Sequence, residues 1–489
     1  MAKRSGYWIG WGVLTVGIGG YLALGLLPDR AVSNRFVASA RTLLMPGKTS
    51  HGHYQIELKC EACHSEAFGG RDSLQEACVK CHGTELKDAD DKHPKSKFTD
   101  PRNADRAAKL DATYCVTCHV EHRPEITKTM GVTVANDVCF HCHSGENDIA
   151  KERPSHAGMK FDTCTNAGCH NFHDNRALYE DFLLKHLHEA PTQTGATLPV
   201  RNYASLVATL ASYPADKYPV KPLARDAHDA PATAKVNSRL HDDWFSTAHA
   251  KAGVNCSACH VDAPADREAR WTDRPDQRAC ARCHSAEAKG FLAGKHGMRI
   301  EQGIKPMTPG LARQPMKADV RDKPLVCTTC HSAHRFDTRQ AAVEACMGCH
   351  DDTHTRAYKA SSHYALWQRE LAGAAPPGSG VSCASCHLPR VDHRSEDGKR
   401  VLVQHNQNDN LRPNEKMIRP VCMNCHGLGY SIDALADAAL IARNFKGQPQ
   451  VHVRGLEMAE ARMKEQEEKK RQRKGADTAK RGETEERKQ

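Results

Sequence analysis

CVTCHVEHR at residues 115–123 and CTTCHSAHR at 327–335 are almost the same phrase, 212 positions apart. Cys-x-x-Cys-His is the attachment signal for c-type haem, in which two thiols bond to the porphyrin and the histidine binds the iron. Working outward from these two copies, all 22 cysteines fall into eleven pairs, each followed directly by histidine. Ten have the standard spacing. They are Cys60, Cys63, His64; Cys78, Cys81, His82; Cys115, Cys118, His119; Cys139, Cys142, His143; Cys256, Cys259, His260; Cys280, Cys283, His284; Cys327, Cys330, His331; Cys346, Cys349, His350; Cys383, Cys386, His387; and Cys422, Cys425, His426. The eleventh, CTNAGCH, places four residues between Cys164 and Cys169, ahead of His170. Zinc ribbons and disulfides also use paired cysteines. Neither explains a histidine after every pair when only 30 of 489 residues are histidine. The sequence therefore implies eleven covalently attached haems c, each with one of these histidines as its proximal iron ligand.

Composition points the same way. Aromatic residues make up 6% of the chain, mean hydropathy is −0.64, and the stretches between motifs are short and polar. Such a chain cannot build ordinary side-chain cores. The expected fold is mainly α with much irregular structure and little β, built around stacked haems, and the haem-free chain is not expected to fold. The formal charge of +10 does not argue for nucleic acid, because two propionates per haem outweigh it and many Lys and Arg are needed to screen them.

Residues 7–27, YWIGWGVLTVGIGGYLALGLL, carry no charge and follow Lys3 and Arg4. That length suits a single transmembrane helix better than the short core of a cleaved signal, with a long signal peptide as the alternative. The positive-inside rule then leaves residues 1–6 in the cytoplasm and puts the bulk of the chain in the periplasm of a bacterium, anchored to the inner membrane.

The repeated phrase belongs to a longer register. His53 and His249 each stand seven residues before a motif, Lys92-His93 matches Lys295-His296, and Ser155-His156 matches Ser362-His363. Offsets between matched parts run from 196 to 219 and change only between parts, as in a tandem repeat. The expected organisation is a connector over 28–50, a five-haem module over 51–189 and an Ala/Pro-rich linker over 190–240. A six-haem module over 241–445 and a charged tail over 446–489 follow. Within the linker, RNYASLVATLAS (201–212) has helical character, as does SIDALADAALIARNF (431–445), with Ser431 as a candidate cap.

Nineteen histidines remain for second axial positions. His122, His173 and His334 each follow a motif histidine by three residues, too close to reach over their own haem, and should bind a neighbouring one. The repeat adds His53, His93, His156, His249, His296 and His363, and His354 and His405 complete the distal set. His393, His51, His186, His188 and His241 are substitutes. Arg412, Lys416 and Arg419, just before the last motif, are candidates for proton supply or propionate pairing.

PMTPG (306–310), CTTCHSAHRFDT (327–338), CMGCHDDTH (346–354), SSHYALW (361–367), CASCHLPR (383–390) and the run from His405 to Asp437 carry a family likeness. Residues 241–445 resemble the multihaem cytochrome c superfamily that includes hydroxylamine oxidoreductase and cytochrome c nitrite reductase. The anchor and first module are similar, more loosely, to membrane-anchored quinol-linked cytochromes of the NapC/NirT type. The lysine-ligated motif of the nitrite reductases is absent, and CEACH is followed by SEAF without the methionine common in quinol oxidisers. The expected function is electron transfer along bis-histidine haems, between a membrane redox complex or the quinol pool and periplasmic redox partners, with no catalytic residues. The alternative is an oxidoreductase acting on nitrite, hydroxylamine or sulfite at one open haem.

Overall fold

The structure, a computed structural model, describes residues 2–26, 35–66, 69–88, 100–108, 110–127, 133–135, 138, 173, 180–200, 222–234, 237–262, 269–395, 398–411 and 414–486. His93, Cys139, Cys142, His143, His156, Cys164, Cys169, His170, Arg412 and the 201–212 segment lie outside the described residues.

An N-terminal helix spans Ala2–Leu24, and none of the residues in its apolar stretch Gly6–Leu24 is buried. A second helix, Arg35–Leu44, packs beside it and carries Arg41, whose side chain is 3% exposed. Arg41 donates to the carbonyl of Gly25 at 3.0 Å, the carbonyl of Leu58 at 2.7 Å and the Glu61 carboxylate at 3.0 Å. One buried guanidinium thus ties the end of the apolar helix to the first Cys-x-x-Cys-His motif.

Among the described residues helix predominates, mostly in short pieces. Cys115–Cys118, Cys256–His260, Cys327–His331 and Cys383–His387 are single α turns, while Cys60–Ala62 and Cys422–Asn424 are 3-10 turns. The chemistry requires this, because residues i, i+3 and i+4 share one face of a helix, so one turn presents both thiols and the imidazole together. Local caps hold the turns. Asn255 accepts from the N–H of Cys256, Thr329 from that of Val326, and Ser382 and Ser385 cap each other reciprocally.

Sheet is confined, among the described residues, to two antiparallel ribbons, Val261–Asp262 with Arg270–Trp271 and Arg390–Ser395 with Gly398–Val403. Two small apolar clusters exist. The larger joins Leu183, Met417, Ile418, Val421, Leu428, Ile432, Leu435 and Ala459, with Cys386 and Cys422 at its edge. The smaller joins Val343, Tyr358 and Trp367, with Cys383 beside it. Both lean on haem-motif cysteines.

The segment 431–445 differs from its expectation. Its helix begins earlier, as Leu428–Ala436, and a second helix, Ala438–Ala442, follows. Ser431 is not the cap: its hydroxyl donates to the carbonyl of Gly427 from inside the helix. Asp437 divides the pair, accepting from the N–H groups of Leu440 and Gln450. The tail is a helix over Gly455–Glu486, seated on the larger cluster through Leu456 and Ala459.

The described ends of the linker lie along the second module. Gln193 donates its N–H to the carbonyl of Cys425, Leu198 to that of Gly378, and Leu223 to that of Ala250. The two modules also touch directly. Lys295 donates to the carbonyls of His51 and Gly52, Arg299 to that of Gln55 at 2.6 Å and Arg313 to that of Thr49 at 3.4 Å. Arg313 also pairs with Glu57 at 3.3 Å and lies 4.5 Å above the Tyr54 ring.

Candidate metal centres

Eight of the nine motif turns among the described residues place their histidine opposite another histidine from elsewhere in the chain. In the first module, His82 faces His53 and His119 faces His173, with ring centroids 5.9 and 6.1 Å apart. In the second module all six motif histidines are matched. His260 faces His334 at 5.8 Å, His284 faces His249 at 6.0 Å, and His331 faces His405 at 6.2 Å. His350 faces His296 at 6.3 Å, His387 faces His354 at 6.0 Å, and His426 faces His363 at 6.3 Å.

That spacing has a direct meaning. A metal–imidazole bond is about 2.0–2.1 Å long and the nitrogen sits about 1.1–1.2 Å from its ring centre, so two rings sharing one metal from opposite sides have centroids about 6.3 Å apart. Trp271 on His260 and Tyr430 on His426 sit at 4.8 Å, but Phe445 lies 6.1 and 6.2 Å from His363 and His354, so the mark of an iron position is the recurrent pairing of a motif histidine with a second histidine and not the distance alone.

The second nitrogen of the ring is engaged in six of these sixteen histidines. Nδ1–H donates to the carbonyl of Thr272 from His260 at 2.7 Å, of Ile441 from His354 at 2.5 Å, of Val403 from His405 at 2.9 Å and of Pro191 from His426 at 2.9 Å. His119 Nδ1 is bonded with the Thr133 hydroxyl at 2.9 Å, and His53 Nδ1 with the Glu121 carboxylate at 2.7 Å. A proton held on Nδ1 leaves the Nε2 lone pair for a metal and fixes the plane of the ring. At His354 the Asn444 amide stands 3.1 Å from Nε2, sharing that space. Burial pushes His119, His296, His363 and His387 down to about 4, so each is neutral at pH 7, the form that binds a metal. Burial also pushes the Cys386 and Cys422 thiols up to about 12, which sets these pairs apart from low-pKa redox dithiols.

A cavity of about 3410 Å³ runs through the second module, lined by five of its motifs and by His249, His296, His334, His354, His363 and His405. It also reaches His51, Tyr54 and Gln55 of the first module. A pocket for one drug-sized ligand is about 300–1,000 Å³, so this space suits several large apolar groups side by side. The donor set, spacing and volume fit haem.

Two local features recur at matched positions of the repeated phrase. Cys78 of the second motif lies beside Cys115 of the third, and Cys280 lies beside Cys327 in the same way. His122 and His334 both adopt left-handed backbone, with φ of 60° and 68°. The histidine three residues after a motif histidine skips a motif, however: His334 faces His260 of the module's first motif and not the adjacent one. The first copy departs from this pattern. Among the described residues neither His64 nor His122 has a facing histidine at such a distance; His122 bonds through Nδ1 to the carbonyl of Gly47, and His64, Cys60 and Cys63 are exposed.

The substitute histidines have other surroundings. His186 bonds to Glu189 at 2.5 Å and packs on Phe182, His188 follows the helix Glu180–Lys185, and His51 lends its carbonyl to Lys295. His241 faces His228 at 5.5 Å with its Nε2 buried and unbonded, and His393 stands in the strand Arg390–Ser395. Lys416 and Arg419 are exposed, and Arg419 lies 3.8 Å above the Phe182 ring. Sequence reasoning missed His228 and the carbonyl, hydroxyl and carboxylate groups that hold the Nδ1 atoms of the facing histidines. Carbonyl acceptors leave no trace in a sequence, but Glu121 lies inside the repeated phrase, where the second copy has Ala333.

Paired imidazoles over thiol-bearing turns, around a cavity of this size, define a multihaem c-type cytochrome. Residues 52–143 and 248–351 each match the family model for cytochrome c3, which supports covalently bound haem c and multihaem electron transfer. The matched segments begin one residue before His53 and His249, at the start of each repeat. No curated protein and no solved structure matches the chain.

Proposed function

We propose that the chain is an undecahaem cytochrome c, anchored in the bacterial inner membrane by its N-terminal helix, with its haem modules in the periplasm. It carries electrons between a membrane redox complex or the quinol pool and periplasmic redox proteins. Haem c supplies one-electron chemistry at iron when bound. The observation that carries this reading is that every motif histidine in 241–445 has a second histidine 5.8–6.3 Å away, so no iron position there is left for a substrate.

The eleven motif histidines are the proximal ligands in this reading. His53, His173, His249, His296, His334, His354, His363 and His405 are distal ligands with the partners given above, and His93, His122 and His156 complete the set. The modules meet beside two such ligands. Lys295, next to His296, holds the carbonyls of His51 and Gly52, next to His53. That contact supports electron handover between the modules at this face.

A second reading rests on His64, which is exposed and lacks a facing histidine among the described residues. A haem there would keep an open position able to bind a small nitrogen or sulfur oxyanion. Low-temperature EPR of the fully oxidised protein, with haem quantified beside it, separates the two. Low-spin signals alone, at eleven haems per chain, are the result expected of the carrier. One stoichiometric high-spin haem that shifts with nitrite or hydroxylamine would establish the oxidoreductase in its place.

A further inference from the structure

The two copies of the repeat treat one ligand differently. In the first module, His53 faces His82 and its Nδ1 is bonded to Glu121 Oε1 at 2.7 Å. Glu121 is itself fixed there by the backbone N–H of Ser50, which donates to Oε2 at 2.9 Å. In the second module, His249 faces His284, and its Nδ1 is buried with no hydrogen-bond partner among the described residues. The residue matched to Glu121 is Ala333, and an aromatic ring, Phe336, lies 4.8 Å from the imidazole in edge-on contact. One ligand therefore has a carboxylate behind it and its counterpart has hydrocarbon.

We propose that Glu121 sets the potential of the haem carried by Cys78, Cys81 and His82 below that of its repeat counterpart at Cys280, Cys283 and His284, biasing electrons from the first module towards the second. This rests on the bis-histidine reading given above. A carboxylate bonded to Nδ1–H draws the proton towards itself and makes Nε2 a stronger donor. Ferric haem carries one more positive charge than ferrous, so a stronger donor and a nearby negative charge both favour the oxidised form. His249, with no acceptor for its N–H, offers its iron neither. The transfer is of one electron, one iron going from ferrous to ferric as the other goes from ferric to ferrous, with no bond or proton exchanged. The placement is apt, because the segment carrying His53 is the one that Lys295 and Arg299 hold against the second module.

The test is a potentiometric titration of the full-length, haem-loaded protein in detergent, followed by EPR. Loss of such a ligand-bonded partner typically changes metal affinity about 10–100-fold, which as a ferric-over-ferrous preference is about 59–118 mV for one electron. Glu121→Gln should raise one haem by that amount and leave the others in place. Ala333→Glu should lower a different single haem. Unchanged midpoints in both variants would overturn the proposal. So would a new high-spin haem in Glu121→Gln, since Glu121 would then be holding the ligand in position instead of tuning it. High-spin signals already present in place of low-spin ones before any substitution would refute the bis-histidine reading instead, so the two failures are distinct.

Discussion

The planes of the paired imidazoles make a sharp prediction. His260 and His334 are nearly parallel, at 4° between planes, whereas His249 and His284 are perpendicular, at 90°. In low-spin ferric haem, parallel axial rings act on the same iron d orbital and split it from its partner, giving a rhombic EPR spectrum. Perpendicular rings act on both orbitals alike and give one strongly anisotropic feature at high g. Removing one distal ligand at a time should therefore subtract signals of different shape. His334→Gly suits the first site, because φ is 68° there and glycine takes that backbone without strain. His249→Ala suits the second, a short helix Ala248–Lys251. Of the eight facing pairs, only His260–His334 and His119–His173 lie within 10° of parallel, so the first variant should halve the rhombic component those pairs contribute. Its difference spectrum should be rhombic, that of His249→Ala should be a high-g feature alone, and each variant should gain one high-spin haem. Half of the 5.8 Å separation, about 2.9 Å, lies between the iron position and the centre of the lost His334 ring, which leaves room for free imidazole to bind at about 2.0–2.1 Å and restore the signal. Identical difference spectra from the two variants, or no loss of low-spin signal, would refute the pairing.

Three further outcomes follow from packing. Leu428→Ala empties a fully buried position between Ile418 and Ile432 and should cost about 2–5 kcal/mol, read by denaturant unfolding of the haem-loaded protein. Arg313→Ala removes the contacts to Thr49, Glu57 and the Tyr54 ring, and should weaken docking of the modules by about 1–2 kcal/mol, read as faster proteolysis between them and slower electron equilibration across them. Haem-free protein, produced without haem attachment, should show no cooperative thermal transition by circular dichroism, because the cavity of about 3410 Å³ would stand where a core is needed.

The sequence was most informative where chemistry dictates spacing. Cysteines at i and i+3 with histidine at i+4 can serve one porphyrin only from one face of a turn, so Cys256–His260 and Cys383–His387 were legible before any fold was known. The repeat was legible for the same reason, and His53, His249 and His296 stand in the structure opposite His82, His284 and His350. Pairing was not legible. His334 faces His260, 74 positions earlier in the chain, and nothing within residues 327–335 says so. Nor could the linker's course be read, since Ala and Pro only signal extended chain, while Leu198 and Gln193 lie on the second module through backbone bonds that any side chain could make. The helix break at Asp437 was hidden because an aspartate reads equally as a solvated helix residue or as a cap for the next helix.

The larger lesson concerns how a repeat acquires direction. Two modules with the same ligand layout would hold equivalent haems at similar potentials, and electrons would have no preferred course between them. What differs around the matched ligands His53 and His249 is the set of groups behind them, with Glu121 against Ala333 and Phe336 standing where the first copy has Pro124. These positions lie within or just beyond the most closely repeated phrase in the chain, so the ligand frame is kept while its electrostatics change. The contact between modules falls on the same element, with Tyr54 between Lys295 and Arg313 one residue after His53. On the proposal above, keeping His53 and His249 as ligands while exchanging the residues behind them places a potential step at the junction.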